Sequence, residues 1–167
     1  MILIDTDVLI DLALDRDPHA GPASELFDYL EVRRRRAFVA WHSLSNFYYL
    51  VSPSRGKSTT RGFLVDLTRF VTVAPSDTDS LRFAAELPMD DFEDALQVAA
   101  AHACGAAFIA TRNTDDYRRS PIPALSPKAL LEELEGQKAR PARFAPVPLG
   151  PRPPPAPRPS RQRRRVR

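Results

Sequence analysis

Cysteine is nearly absent from this sequence, since Cys104 is the single one in 167 residues. One thiol excludes an internal disulfide and a zinc site built from cysteines. Long hydrophobic runs are also missing, because no apolar stretch approaches the roughly 18 residues of a transmembrane helix. The opening residues, Met-Ile-Leu-Ile-Asp, have no basic segment before an apolar one, so no signal peptide is predicted. These absences favour a cytoplasmic protein that does not bind membranes.

Acidic residues are absent from residues 137–167, which contain ten of the 24 Lys and Arg and nine of the 17 prolines. All 21 acids therefore lie in residues 1–136 with 14 basic residues, a net charge of −7 there. We predict a globular domain over 1–136 and a disordered, basic, Pro/Arg-rich tail over 137–167. The tail is either a solvated extension without a role or a segment that attracts RNA through phosphate contacts.

Short apolar segments alternate with helical patterns along residues 1–136. Strands are predicted at residues 2–4, 38–40, 70–73 and 107–110. Helices are predicted at residues 23–34, 44–51, 61–68, 79–87 and 92–104, and a last one begins after Ser126 and ends at Gly136. Strands that alternate with helices form a parallel sheet covered on both faces, so we expect a three-layer α/β/α sandwich.

Polar and acidic side chains follow three of these strands. They are Asp5 and Asp7 after the first, Asn46 after the second, and Thr111, Asn113, Asp115 and Asp116 after the fourth. The carboxyl ends of parallel strands share one edge of the sheet, where sites form in open α/β folds. We therefore expect these side chains to surround one crevice.

Two more acids stand at the start of the helix predicted at 92–104. Asp91 has the position of an N-cap, which gives it a structural role. Asp94 enters an apolar helix and needs a compensating partner, either a salt bridge or a cation shared with Asp5. Carboxylates without cysteines or a histidine pair suit a hard cation such as Mg²⁺ or Mn²⁺.

Three segments resemble, in order and spacing, the motifs of the PIN-domain family. Residues 4–11, Ile-Asp-Thr-Asp-Val-Leu-Ile-Asp, are similar to its first motif, usually Asp-Thr-Asn-Val-Leu. Residues 91–97, Asp-Phe-Glu-Asp-Ala-Leu-Gln, resemble the third motif. Residues 111–117, Thr-Arg-Asn-Thr-Asp-Asp-Tyr, resemble the last, commonly Thr-Arg-Asn-x-x-Asp-Phe. The resemblance covers residues 2 to about 135 and favours the VapC-like toxin ribonucleases.

This resemblance implies a Rossmann-like fold and an endoribonuclease in which metal-activated water attacks the phosphodiester. Asp5, Asp94 and Asp116 would be its catalytic, metal-binding carboxylates. The supporting residues it implies are Asp91 as a fourth ligand, Asp115 as an alternative to Asp116, and Asp7, Asn46, Thr111 and Asn113 as polar groups. It also implies RNA as substrate, a small antitoxin protein as partner and a homodimer.

Asn46 departs from the family pattern, because the second motif usually carries a glutamate at this position. Asparagine brings no charge, so weaker metal binding is implied, which Asp7 in place of the usual asparagine partly offsets. Asn46 favours one alternative, a PIN-shaped module that binds RNA or protein without cutting. A second alternative is a haloacid-dehalogenase-type phosphatase, which the Asp5-Thr6-Asp7 opening resembles but for which no lysine is suitably placed.

Overall fold

The computed structural model of this chain describes residues 1–33 and 36–139, with only the backbone for 137–139. The part of the predicted tail from residue 140 onward lies outside these residues, so its disorder stays a prediction. In the described part of the chain, no helix is long and apolar enough to cross a membrane.

The described residues form five strands and seven helices. The strands are β1 (Ile2–Ile4), β2 (Ala37–Val39), β3 (Val71–Val73), β4 (Phe108–Ala110) and β5 (Ala124–Leu125). The helices are α1 (Thr6–Leu14), α2 (Ala20–Val32), α3 (Trp41–Arg55), α4 (Lys57–Leu67), α5 (Thr78–Glu86), α6 (Phe92–Ala103) and α7 (Pro127–Ala139).

All neighbouring strands pair in parallel, in the order β3-β2-β1-β4-β5. The chain moves outward from β1 to β3 and then crosses back to β4, on the other side of β1. Ile4 pairs with Ala110, so the residues that follow β1 and β4 begin at the same level. The crevice at such a reversal of strand order is the usual binding site of open α/β sheets.

Successive side chains of a strand point to opposite faces of the sheet, so the neighbours of each side chain show which helices cover that face. Ile2 and Ile4 belong to a core with apolar residues of α1, α2, α3, α4 and α7. Leu3 instead belongs to a second core with α6 and partly buried Phe83 of α5. The predicted three-layer α/β/α sandwich with a parallel sheet is therefore confirmed.

The sequence predictions missed two elements and misplaced several helix ends, since α3 (Trp41–Arg55) extends beyond the predicted 44–51 on both sides and α4 begins at Lys57 rather than at residue 61. Helix α1 was not predicted, because its residues are apolar on nearly every side and show no clear helical period. Strand β5 has two residues, too few for a pattern. Helix α7 continues to Ala139, so the predicted end at Gly136 is wrong. Glycine lowers helix stability by only about 1 kcal/mol, which the neighbouring turns can offset.

Candidate functional site

Asp5 stands between β1 and α1, at the carboxyl edge of the sheet. Its side chain caps α1 by accepting a hydrogen bond of 2.6 Å from the Thr6 amide, and it is 5% exposed. The Tyr117 hydroxyl donates to the other carboxylate oxygen at 3.2 Å. Burial, and then the nearby charges of Asp7 and Glu93, raise the pKa of Asp5 to about 8. Such a carboxylate ionises readily only if positive charge arrives nearby.

The Gln97 amide of α6 lies among oxygen atoms beside Asp5. Its Nε2 is 3.0 Å from Asp5 Oδ1 and from Thr6 Oγ1, 2.7 Å from Ser43 Oγ and 3.3 Å from Glu93 Oε1. An amide nitrogen has two protons, so it cannot satisfy four acceptors. Gln97 is fully buried, and its Oε1 has no hydrogen-bond partner among the described residues. The surroundings of Asp5 are thus rich in oxygen.

An acidic cleft of about 340 Å³ opens at the start of α6. Its acids are Asp90, Asp91, Asp94, Asp115 and Asp116, and Met89, Arg118 and Arg119 complete the lining. Burial, followed by the charges of neighbouring acids including Asp116, raises the pKa of Asp94 to about 6. The cleft therefore concentrates negative charge that the two arginines offset only in part.

Asp91, Asp115 and Asp116 have different surroundings in this cleft. Asp91 accepts a hydrogen bond of 2.7 Å from the Glu93 amide, which confirms its predicted capping role. Asp115 is exposed and pairs with Arg118 at 2.8 Å. Asp116 is also exposed, and its charge contributes to the raised pKa of Asp94.

Tyr117 connects the buried carboxylate to the cleft. Its side chain is 3% exposed, and its hydroxyl interacts with both Asp5 and Asp94. Burial and the charges of these two acids raise the pKa of Tyr117, so the phenol stays protonated. A phenol has one proton to donate, so it cannot donate to both carboxylates at once.

Asp7 contacts Arg112 and does not line the acidic cleft. The Arg112 amide donates to Asp7 Oδ2 at 2.9 Å, and the guanidinium bonds buried Asp11 at 2.9 Å. Burial raises the pKa of Asp7, whereas Arg112 opposes this rise. The charge of Asp7 is therefore already paired, which weakens the expectation that it offsets the missing second-motif charge.

The remaining predicted residues lie at the same sheet edge. Thr111 is fully buried, and its hydroxyl is 3.4 Å from Asp7 Oδ2. Asn113 is exposed, and its amide donates to Thr111 Oγ1 at 3.0 Å. Asn46 of α3 is half-buried, and its Nδ2 donates to Glu93 Oε1 at 3.2 Å. The structure thus gathers all nine predicted residues around the ends of β1 and β4 and the starts of α3 and α6.

The donor chemistry of this site is that of a hard divalent cation. The side chains between Asp5 and the cleft offer carboxylate, hydroxyl and amide oxygens, and a buried amide oxygen of Gln97 lacks a partner. Within residues 1–33 and 36–139, however, no three His, Cys, Asp or Glu side chains form a group able to hold an ion. Asp5 is hydrogen-bonded to Tyr117, Gln97 and Thr6, and Tyr117 lies between it and Asp94.

Three residues of this site were not predicted from the sequence: Glu93, Gln97 and Tyr117. The motif of residues 91–97 contains Glu93 but assigns it no role, although it contacts side chains of α1, α3 and α6. The isolated amide of Gln97 in an apolar helix was a detectable signal, because a buried polar group needs partners. The role of Tyr117 had no such signal, since its contacts span 112 residues of chain.

Comparisons with known proteins agree with this architecture. A family model described as PIN domain matches residues 1–115. The toxin VapC20 of Mycobacterium tuberculosis superposes with a TM-score of 0.58 and 20% identity, over 70% of this chain and 92% of that one. VapBC2 of Rickettsia felis, solved with promoter DNA, gives 0.58 and 17% over 75% and 98%. FitAB bound to a DNA fragment gives 0.60 and 15% over 77% and 96%. No curated protein matches the chain.

Proposed function

Because the chain belongs to the PIN-domain family, we propose that it is a divalent-metal-dependent endoribonuclease and the toxin of a toxin–antitoxin pair. The observation that carries this proposal is the buried carboxylate of Asp5, connected through Tyr117 to Asp94 in the acidic cleft. VapC20, which shares the fold, is described as a toxin that cleaves the sarcin-ricin loop. RNA is accordingly the substrate class we infer here.

The inferred cofactor is Mg²⁺ or Mn²⁺, held by Asp5, Asp94 and Asp116. When bound, such an ion supplies an activated water and stabilises the leaving oxygen of a phosphodiester. The five acids of the cleft and the nearby buried carboxylate of Asp5 support this assignment, because concentrated negative charge favours a cation. Asp116 is preferred to Asp115, whose carboxylate is already paired with Arg118.

The protein's own residues would position the substrate and the acids. Gln97 and Tyr117 fix the two oxygens of the Asp5 carboxylate, which limits its rotation. Arg118 and Arg119 line the cleft, where they pair with Asp115 and Asp90, and an RNA phosphate would compete with these carboxylates for their positive charge. Asp91 combines its cap of α6 with a position in the cleft wall, so a role as fourth ligand stays part of the proposal.

The partner we infer is a small antitoxin that covers the acidic cleft. VapBC2 and FitAB, which share the fold, are each described in complex with DNA. An arginine from such a partner could form paired hydrogen bonds with a cleft carboxylate, the strongest geometry available between these groups. A homodimer and a cytoplasmic location belong to the same proposal, and co-purification with the product of a neighbouring gene would test the antitoxin.

Cleavage of a labelled structured RNA tests the nuclease. The full chain is incubated with Mg²⁺ or Mn²⁺, beside an EDTA-treated sample, Asp5→Asn and the exposed control Asp79→Asn. We expect metal-dependent cleavage that Asp79→Asn retains and Asp5→Asn loses by about a hundredfold or more, as for removal of one strong electrostatic group from an active site. Cleavage that survives both EDTA and Asp5→Asn would contradict the proposal.

A PIN-shaped module that binds without cutting is the second candidate. The observation that favours it is the absence of a ready three-acid group in the described part of the chain. Such a module would bind the RNA but leave it intact with every metal. Isothermal titration with Mn²⁺ separates the two, since the module is expected to release no measurable heat.

A further inference from the structure

Glu93 is a carboxylate that side chains from three helices hold in place. Asn46 of α3 donates to its Oε1 at 3.2 Å, and Thr6 Oγ1 of α1 lies 3.5 Å from the same oxygen. Gln97 Nε2 of α6 is 3.3 Å away, and His42 Nε2 of α3 lies 3.4 Å away without forming a hydrogen bond among the described residues. These contacts join segments separated by up to 87 residues, so they depend on the tertiary fold.

The position of Glu93 is next to Asp5. The same Gln97 nitrogen that contacts Glu93 is 3.0 Å from Asp5 Oδ1, and Thr6 contacts Glu93 while its amide binds Asp5. Glu93 therefore belongs to the same group of hydrogen-bonded side chains as Asp5.

A purely structural role explains Glu93 only in part. An acid in the first turn of a helix interacts favourably with the helix dipole, at about 0.3–1 kcal/mol. That interaction needs no partner on α1 or α3, and an exposed side chain would supply it. The side chain of Glu93 is instead half-buried and accepts a hydrogen bond from Asn46. The side-chain amide of Asn46 thus holds the Glu93 carboxylate in position.

We propose that Glu93 is a further carboxylate of the divalent-metal site and that Asn46 positions it there. The buried Gln97 amide supports this independently, since its Oε1 has no partner among the described residues although the amide lies between Asp5 and Glu93. Asn46 of α3 carries no negative charge, and Glu93 of α6 supplies that charge instead. This inference rests on the proposed metal-dependent function.

The test is the affinity for Mn²⁺, measured by isothermal titration of the EDTA-stripped full chain. Glu93→Gln keeps the size of the side chain and removes its charge. Glu86→Gln, an exposed glutamate at the end of α5, is the matched control. We expect Glu93→Gln to weaken Mn²⁺ binding by about tenfold or more, the usual scale for groups that support a metal site, and Glu86→Gln to leave it unchanged.

A double variant tests whether the position of the charge can be exchanged. Asn46→Glu combined with Glu93→Gln returns one carboxylate and one amide to the same contact, so Mn²⁺ affinity should recover to within about threefold of the original chain. Asn46→Leu keeps Glu93 but removes its donor, and a smaller loss is expected. Asn46→Leu also tests the inference if Glu93→Gln fails to fold, which circular dichroism would reveal.

Two results would overturn the inference in distinguishable ways. If the original chain binds Mn²⁺ and Asp5→Asn abolishes binding, whereas Glu93→Gln and Asn46→Leu bind normally, Glu93 has only a structural role. If the original chain neither binds Mn²⁺ nor cleaves RNA, the proposed function itself fails.

Discussion

Asp5 is the central residue of the site. Its burial disfavours the ionised carboxylate, so its contribution to the free energy of unfolding depends on pH. At 5% exposure its carboxylate is nearly removed from water, and the hydrogen bonds from Thr6, Gln97 and Tyr117 only partly replace hydration. Its pKa near 8 lies well above the usual 3.8. The folded, metal-free chain therefore keeps a proton on Asp5 at pH values where the unfolded chain has lost it.

Stability of the metal-free protein should fall as pH rises from about 4 to 8. In this window the folded state binds the extra proton, so each pH unit lowers the free energy of unfolding by up to about 1.4 kcal/mol through this group. Asp5→Asn carries no such proton, and its stability relative to the original chain should increase between pH 5 and 8. Urea denaturation in EDTA measures this difference. The exposed control Asp79→Asn should show none, and a constant difference for Asp5→Asn would contradict the assigned pKa.

The buried hydroxyl of Tyr117 gives a second test at the scale of single residues. Tyr117→Phe removes one hydrogen-bond donor from Asp5 while keeping the ring, so we expect a loss of about 1 kcal/mol or more in the free energy of unfolding. Tyr49→Phe, at a side chain 73% exposed, is the matched control and should have no effect. Equal stability of both variants in denaturant titrations would show that Asp5 does not rely on this hydroxyl.

Helix α6 and its N-cap combine three tasks within residues 91–97. Asp91 caps the helix, Glu93 and Asp94 bring negative charge to the site, and Gln97 contacts Asp5. The spacing makes this possible, because residues three or four apart lie on one face of a helix. The element therefore presents its acids at a helix start, where the dipole favours negative charge.

Capping and metal binding by Asp91 can be separated with two substitutions. Asp91→Ala removes both the cap and the charge, so the free energy of unfolding should fall by about 1 kcal/mol. Asp91→Ser keeps a capping oxygen without the charge, and its stability should stay near that of the original chain. Mn²⁺ titration of the serine variant then isolates the charge. Undiminished Mn²⁺ affinity there would remove Asp91 from the proposed ligands.

The whole molecule has opposite charges in its two sequence regions. Residues 1–136 carry a net charge of −7, whereas residues 140–167 contain nine arginines and no acid. An acidic surface repels RNA over most of its area, so a basic segment would offset this repulsion through phosphate contacts. All five strands of the sheet and the residues of both cores lie within residues 1–139.

Deletion of residues 140–167 should therefore leave the folding of the domain intact and weaken RNA binding. Because each phosphate contact contributes to the salt dependence, the slope of log affinity against log salt should become shallower in the shortened chain. Fluorescence anisotropy with a labelled RNA from about 50 to 200 mM salt measures this. A control chain in which the arginines of residues 140–167 are replaced by glutamine should behave like the deletion. An unchanged slope in both would leave the tail without a role in RNA binding.

Local patterns in the sequence determined the fold class and the edge of the sheet that holds the site. Four short apolar segments alternating with helical ones required a parallel sheet, and the acids at the ends of β1 and β4 marked its carboxyl edge. These signals are readable because the hydrophobic period and the capping positions depend only on neighbouring residues. The role of Asp91 as a cap could be predicted for the same reason.

The tertiary structure alone decided how the acids are partnered. Asp7 proved to be paired with Arg112, and Asp5 with Tyr117, whereas Glu93 is held by Asn46. These contacts join residues 47 to 112 positions apart, and no local pattern encodes such distances. Packing of α1, α3 and α6 around the end of β1 sets the burial of each carboxylate. Burial and neighbouring charge then determine which acids resist ionisation, and neither quantity exists before the chain has folded.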